Sequence, residues 1–407
     1  MRLPAGWDTA AHRLWDQGQA SPACQTMVSL INAAAKQKAP PSVSHLEQFG
    51  YYLWRQGRFA EALQMQERAH QIAPERIELT RNLAVLYNRN RRHEDAVRTA
   101  QTVLTQLPDD AVSLDVLSSA LRRLDRTDEA RSAGTRALQI KAQRTETTAP
   151  PVSGWALPEQ RPNTGQHQIE GKPNVIAFSI WGSQPRYLRG ALRNLLVAPG
   201  LFPGWTLRFS VDATVPPGFT ALLRELGAEV DERAAGASLR EKLCWRFDVA
   251  NDPTVGYFLV RDADSVISAR EAQLVNEWLD GSAHFHLIRD WWTHTDLILA
   301  GMWGGVAGVL PPLKPLLGSY QSQLLETPNI DQWFLRDRVW PLVRTSLCQH
   351  DRLFDLPGTT RLSPPPAGSP ANLHIGQDEH TARRDEQASL LAHWIRRFDW
   401  LSEPNKP

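Results

Sequence analysis

The feature that most constrains this chain is a 34-residue period in its first third. Ala62, Ala96 and Ala130 recur at that spacing, as do Leu53, Tyr87 and Leu121, and Ala69, Val103 and Ala137. Pro74 is followed 34 residues later by Pro108. A unit this short cannot enclose a core alone and must stack on copies of itself. Small residues allow the two helices of a hairpin to cross closely, larger ones fill the layers between hairpins, and proline ends the second helix. The period therefore predicts helical hairpins over about Val43 to Lys141, with the residues before Pro40 forming a degenerate capping hairpin.

The segments LEQFGYYLWRQGRFAEALQMQERAHQIAP and LAVLYNRNRRHEDAVRTAQTVLTQLP resemble tetratricopeptide repeats. The usual glycine after the third core position is Gly50 in one repeat but Ala84 and Ser118 in the others, a change that helix packing tolerates. Arg55, Arg89 and Arg123 keep the 34-residue spacing and fall in one column of the stack. In tetratricopeptide arrays the first helix of each hairpin lines the concave groove, so this column makes a basic ladder suited to an acidic peptide or to acceptor carboxylates. The same arginines also suit a helix C-terminus, where they meet the helix dipole without any partner.

Composition excludes several classes of partner. Across 407 residues, 45 basic side chains nearly cancel 44 acidic ones, leaving no global field to hold nucleic acid or an anionic membrane. Cys24, Cys244 and Cys348 are far apart and lack paired metal-ligand spacing, so they read as reduced thiols of a cytoplasmic protein. The start, MRLPAGWDTAAHRLWDQG, has no basic stretch leading into an apolar core, and no secretory signal is expected there. The uncharged run from Leu297 to Leu313 is broken by glycine and proline and falls short of the ~20 residues a membrane-spanning helix needs. It reads as buried strand and loop.

Four regions follow: helical repeats over 1–144, a linker over 145–172, an α/β domain over 173–386, and an amphipathic helix with a tail over 387–407. The linker TETTAPPVSGWALPEQRPNTGQHQIEGK is rich in proline, threonine and glycine. Beyond it, strand-like runs (NVIAFSIW, TLRFSVD, VGYFLV) alternate with helix-like ones (YLRGALRNLL, GFTALLRELG, LREKLCWRFDVAN), the pattern of a mainly parallel sheet covered on both faces. In the last region Leu390, Leu391, Trp394, Ile395 and Phe398 share a helical face, which should dock onto the protein.

The chemistry concentrates at RDADS, Arg261 to Ser265, where the chain has its one Asp-x-Asp. Ligands of open α/β sheets collect beyond the carboxyl ends of strands, and this motif closes one. In extended backbone, residues two apart face one side, so Asp262 and Asp264 would present paired carboxylates while Ala263 faces inward. Such a pair suits a hard divalent ion, Mn²⁺ or Mg²⁺, with coordination positions left for phosphate oxygens.

On these residues the domain resembles the metal-dependent glycosyltransferases of the A fold, whose hallmark is an Asp-x-Asp closing a central strand. The resemblance spans about Asn174 to His380 and implies transfer of a sugar from a nucleotide-sugar, by family a UDP-sugar, to a protein, peptide or glycan acceptor recruited by the repeats. It implies a donor site at Ser179, Trp181, Gly182 and Tyr187 on the opening strand and loop, joined by Lys242, Arg246 and Asp262. NLHIGQ, Asn372 to Gln377, is similar to a late segment that supplies a metal ligand in several such families, making His374 a third ligand beside Asp262 and Asp264.

Asp331, with Gln332, looks like the opening of a helix bordering the acceptor pocket, or is simply a helix cap. Asp290 and Asp331 are the catalytic candidates, because an inverting enzyme needs a carboxylate base at the acceptor hydroxyl. Asp290 follows a strand and lies between basic and aromatic residues; Trp291, Trp292 and Trp303 either stack on a sugar or pack the interior. His284 and His286 could face one way on a strand and bind a metal, although an oxygen-preferring ion does not need them. Two rivals remain open: a nucleotidyltransferase, since strand-end acids also serve phosphoryl chemistry, and a non-catalytic tetratricopeptide adaptor with a degenerate glycosyltransferase domain.

Overall fold

The computed structural model describes residues 3–146, 152–162, 167–322, 327–378 and 384–402. The chain divides into two compact units, Met1–Ile140 and Lys141–Pro407.

The helices α1 (Thr9–Asp16), α2 (Ala20–Lys36), α3 (Val43–Arg55), α4 (Phe59–Ile72), α5 (Ile77–Arg89), α6 (His93–Gln106), α7 (Ala111–Arg123) and α8 (Thr127–Glu146) are paired in sequence as hairpins. The periodic alanines are their crossing points: Ala62, Ala96 and Ala130 are fully buried. Each of three hairpin turns is closed the same way. Gly57, Arg91 and Asp125, again 34 apart, adopt left-handed φ of 75°, 61° and 57°. One residue later Arg58, Arg92 and Arg126 each donate a backbone N–H, at 2.9 Å, to Leu53, Tyr87 and Leu121. This is a glycine-type helix cap, although two of the three positions carry side chains. Arg55, Arg89 and Arg123 are the last residues of α3, α5 and α7, where the dipole favours a cation. Arg55 also donates to the Tyr51 hydroxyl at 2.8 Å, whereas Arg89 and Arg123 are exposed.

In the second unit, β1 (Asn174–Ile180), α9 (Pro185–Leu201), β2 (Trp205–Val211), α10 (Pro217–Glu225), β3 (Glu229–Glu232), α11 (Leu239–Cys244) and a 3₁₀ turn at Trp245–Asn251 lead to β4 (Tyr257–Arg261). Then come α12 (Ala269–Asp280), β5 (Phe285–Arg289), β6 (Met302–Val306), α13 (Leu313–Ser319) and α14 (Ile330–Phe334). A π-helical turn at Leu335–Val339 joins α14 to α15 (Trp340–Val343), and β7 (Leu347–Asp351), β8 (Thr359–Arg361) and α16 (Arg384–Arg397) follow.

Among the described residues the strands form one sheet in the order β3-β2-β1-β4-β6-β5-β7-β8. Every neighbouring pair is parallel except those made by β6, which runs against β4 and β5. Every residue of β1, β4, β5 and β6 is buried, as expected of strands covered on both faces. The uncharged run at Leu297–Leu313 supplies β6, and among the described residues no helix is long and apolar enough to cross a membrane.

The expected linker departs from a free tether. Helix α8 runs to Glu146, past the expected boundary at 144. Arg161 is buried and donates to the carbonyls of Trp278 (2.8 Å), Gly281 (2.9 Å) and Ala283 (3.2 Å), at and just beyond the C-terminal end of α12. Its guanidinium also lies 4.7 Å from the Tyr257 ring centre. One arginine thus outweighs the local composition that reads as a linker. Residues 147–151 and 163–166 of that stretch, and 403–407 of the tail, lie outside the described residues. Along α16, Leu391 is buried in the sheet's core and Trp394, Ile395 and Phe398 pack against it, while Leu390 of the expected apolar face is exposed.

The hairpin turns yield a paired test. At Gly57 a β-carbon meets no neighbour, so Gly57→Ala isolates the left-handed penalty and should destabilise the repeats by about 1 kcal/mol. Arg91→Gly should stabilise them by a similar or smaller amount, since the relief of strain is partly offset by a freer unfolded chain. Thermal unfolding followed by circular dichroism should move in opposite directions for the two variants.

Candidate active site

β4 ends on a buried arginine. Arg261 is fully enclosed, with Nε 2.6 Å from Glu271 and Nη1 donating to the carbonyls of Val260 and Trp303. The chain then leaves the sheet in a tight turn closed by the Ser265 N–H on the Asp262 carbonyl at 3.1 Å. The acidic pair therefore sits in a turn beyond the strand, not in the extended backbone that the alternation argument requires. Ala263 is nevertheless buried, the Asp262 side chain is 47 % exposed and that of Asp264 9 %. Helix α9 presses directly on this turn: a β-carbon at Gly190 would lie 2.5 Å from the Ala263 carbonyl oxygen and 2.6 Å from the Asp264 Cα.

Both carboxylates meet guanidinium groups. Arg246, which is buried, contributes Nη1 to Asp262 and Nη2 to Asp331, the latter at 3.0 Å. Arg186 pairs with Asp264 and lies 4.8 Å from the centre of the Tyr187 ring. Burial and the negative charge of Asp262 push the Asp264 carboxyl up, with Arg186 opposing. Burial likewise raises Asp331 to about 6, against the pull of Arg246. Asp262 and Asp264 are the residues that could hold a divalent cation here, and each already meets a guanidinium group.

The opening strand and loop converge on the same end of the sheet. Ser179 accepts the Arg246 backbone N–H at 3.0 Å, which fixes the 3₁₀ turn carrying that arginine. Trp181 follows β1 and is partly exposed, and the Gly182 N–H donates to Thr214 at 2.7 Å. Lys242 pairs with Asp212 at 2.7 Å, an acid at the end of β2 that sequence reasoning missed. Trp292 and Trp303 are buried, the latter packed edge-on against Phe247 and Phe258, so both are interior residues.

His374 and Asp290 form a separate, adjoining group. Asp290 is fully enclosed: Oδ1 pairs with Arg352 at 2.6 Å, and Oδ2 accepts from Arg270 at 3.0 Å and from the Ile375 N–H at 2.7 Å. Its carboxylate thereby anchors the segment that carries His374. That imidazole stacks on Trp291 with ring centres 4.5 Å apart, and burial lowers it to about 4, leaving it neutral at pH 7. Three and four residues on, Gln377 and Asp378 pair with Val266 and Ser265, so the segment runs alongside the Asp-x-Asp turn. The ligand atoms of Asp262, Asp264 and His374 do not all lie within 4.8 Å of one another. Asp378 acts electrostatically on both Arg186 and His374 and is a second acid that sequence reasoning passed over.

A tetratricopeptide-repeat family model matches residues 53–120, within the helical hairpins of the first unit. No curated protein sequence matches the chain. Among solved structures, MamA from Desulfovibrio magneticus RS-1 is similar at 14 % identity and a TM-score of 0.30, over 34 % of this chain and 75 % of that one. MamA MSR-1 is similar at 22 % identity and a TM-score of 0.29, over 33 % and 74 % of the two chains. A mutant of Thermobaculum terrenum O-GlcNAc transferase is similar at 14 % identity and a TM-score of 0.39, over 61 % of this chain and 44 % of that one.

The raised Asp331 carboxyl has a thermodynamic consequence. Between pH ~4 and about 6 the folded protein holds a proton there that the unfolded chain releases, so this group's contribution to stability falls as pH rises through that window. Asp331→Asn should remove that contribution. The slope of unfolding free energy against pH between ~4 and 6 should be less negative in the variant, measured by urea titrations at several pH values.

Proposed function

We infer that the α/β unit is a glycosyltransferase that takes a nucleotide-sugar, a UDP-sugar in the first instance, and transfers its sugar to an acceptor bound by the repeats. One observation carries this reading. Beyond the end of the central strand β4, two carboxylates and two guanidinium groups converge on a turn that is open to solvent through Asp262.

Asp262 and Asp264 would hold Mn²⁺ or Mg²⁺, with His374 as the third ligand candidate, and a bound ion supplies Lewis-acid stabilisation to a departing diphosphate. Arg246 and Arg186 hold the two carboxylates and add positive charge where phosphate oxygens would lie, which lowers the barrier to leaving-group departure. Lys242, Ser179, Trp181, Gly182 and Tyr187 frame the donor side. Asp331 takes the role of base toward the acceptor hydroxyl in preference to Asp290. Asp331 is also buried and accepts the Gln332 N–H at 2.8 Å, but it shares Arg246 with Asp262 and its carboxyl is raised to about 6, whereas Asp290 is held by two arginines and a backbone amide away from that turn.

Asp264→Asn should cut Mn²⁺-dependent release of nucleoside diphosphate by about two orders of magnitude or more, with an unchanged circular dichroism spectrum. His374→Ala should instead raise the Mn²⁺ concentration needed, with turnover restored by excess metal. Release of sugar phosphate in place of nucleoside diphosphate would identify a nucleotidyltransferase. Wild-type turnover by the Asp264 variant at saturating donor would remove the metal-site assignment.

The repeats are assigned to acceptor recruitment. Arg89 and Arg123 are exposed at helix ends in the same column as Arg55. Changing Arg55, Arg89 and Arg123 together to glutamine should raise KM for a protein acceptor and leave hydrolysis of the nucleotide-sugar unchanged. Equal KM values at low and high salt would leave the column as helix capping alone.

A further inference from the structure

Strands β5 and β7 carry a second constellation of metal-binding side chains. They pair in parallel with His286 opposite Cys348 and Ile288 opposite His350. Residues two apart on a strand share a face, so Cys348 and His350 point the same way, and the register brings His286 to that face. One ligand atom from each of the three lies within 4.8 Å of the others, the one such group among the described residues. His286 Nε2 is 2.8 Å from His350 Nδ1, and the Cys348 Sγ is 4.0 Å from that same nitrogen. Both imidazoles are buried, while Cys348 is partly exposed, which leaves a path for an ion.

An outer-shell partner is in place for one of the two histidines. His350 turns its other nitrogen, Nε2, toward Glu277 of α12 at 3.2 Å. A carboxylate on the far nitrogen is how metal-binding histidines are oriented, because it fixes which nitrogen carries the proton. On the opposite side the Trp278 ring stacks on His286, with centres 5.4 Å apart and planes inclined by 8°. His286 Nδ1 is buried without a partner.

The distances suit a tetrahedral ion. Zinc takes imidazole nitrogen at about 2.0–2.1 Å and thiolate at about 2.3 Å, which places tetrahedral N···N pairs about 3.3 Å and N···S pairs about 3.6 Å apart. The observed 2.8 and 4.0 Å straddle these values and require movements of about half an ångström. We propose that His286, Cys348 and His350 bind one zinc-class ion, with the fourth position left for water, at a centre separate from the Asp262–Asp264 turn.

Two imidazoles and a thiolate select a borderline-soft ion, whereas paired carboxylates select Mn²⁺ or Mg²⁺, so the two centres sort metals by ligand chemistry. Binding releases the Cys348 proton to solvent and leaves each imidazole neutral, with its remaining proton on the nitrogen facing away from the ion. The ion would fasten β5 to β7 next to the buried Arg289–Asp351 pair, whose Nε and Oδ2 are 2.7 Å apart. The same two strands deliver Asp290 and Arg352.

The test requires neither donor nor acceptor and so stands or falls separately from the glycosyltransferase reading. The full chain, stripped with a chelator and dialysed, is titrated with Co²⁺. A near-ultraviolet thiolate-to-cobalt band saturating at one equivalent is expected, displaced by Zn²⁺ and untouched by excess Mn²⁺. Asp264→Asn should keep the band, Cys348→Ser should lose it, and Glu277→Gln should keep it with affinity lowered about 10–100-fold. X-ray absorption on the zinc-loaded wild-type chain should find one sulfur and two imidazole ligands, a readout that depends on no variant folding. No saturable band, a band unchanged by Cys348→Ser, or zinc without sulfur would each overturn the assignment, leaving a metal-free hydrogen-bond chain from His286 through His350 to Glu277.

Discussion

The second unit is organised around a buried cation. Arg246 is buried, and it spans Asp262 beyond the central strand and Asp331 at the head of α14. Burying such a charge is tolerable only when partners meet it, and removing one partner from a buried pair costs ~3–5 kcal/mol. The arginine therefore holds three separate elements in one arrangement: the Asp-x-Asp turn, the 3₁₀ turn on which it rides, and α14. Its own backbone is fixed by Ser179 of β1, which ties the opening strand into the same unit. The position of the acids follows from electrostatics that the fold cannot relax without exposing a charge to an apolar interior.

Much of this was legible in the sequence because it is local. The 34-residue period reports contacts between adjacent hairpins, and the apolar strands report burial on both faces of the sheet. The Asp-x-Asp could be placed because it directly follows β4. What could not be read is pairing at a distance. Arg186 reaches Asp264 across 78 residues and Arg246 reaches Asp331 across 85. Asp290 illustrates the limit: its neighbours in sequence suggest an accessible acid, but Arg270 and Arg352, brought in by other elements, enclose it.

His286 makes the same point from the other direction. Its spacing from His284 suggests a metal pair along one strand, yet His284 turns to Ser346, and the partners of His286 come from the neighbouring strand. Strand register decides which side chains meet, and no local pattern in β5 reveals that β7 lies beside it. The repeats are different. Their periodic arginines are visible in sequence, but the structure places each at the last residue of a helix, a position with its own reason for a positive charge.

Arg161 bears on how a protein of this kind is assembled from parts. The stretch 152–162 looks like spacer, yet its arginine closes the end of α12, and the Pro162 carbonyl accepts the Tyr257 hydroxyl at 2.8 Å. A gene fusion that joined the α/β unit to another partner at the first strand would remove the guanidinium from these carbonyls and the Pro162 acceptor from the phenol. The transferable module therefore begins upstream of its sheet, at the arginine that ties this apparent spacer to the end of α12.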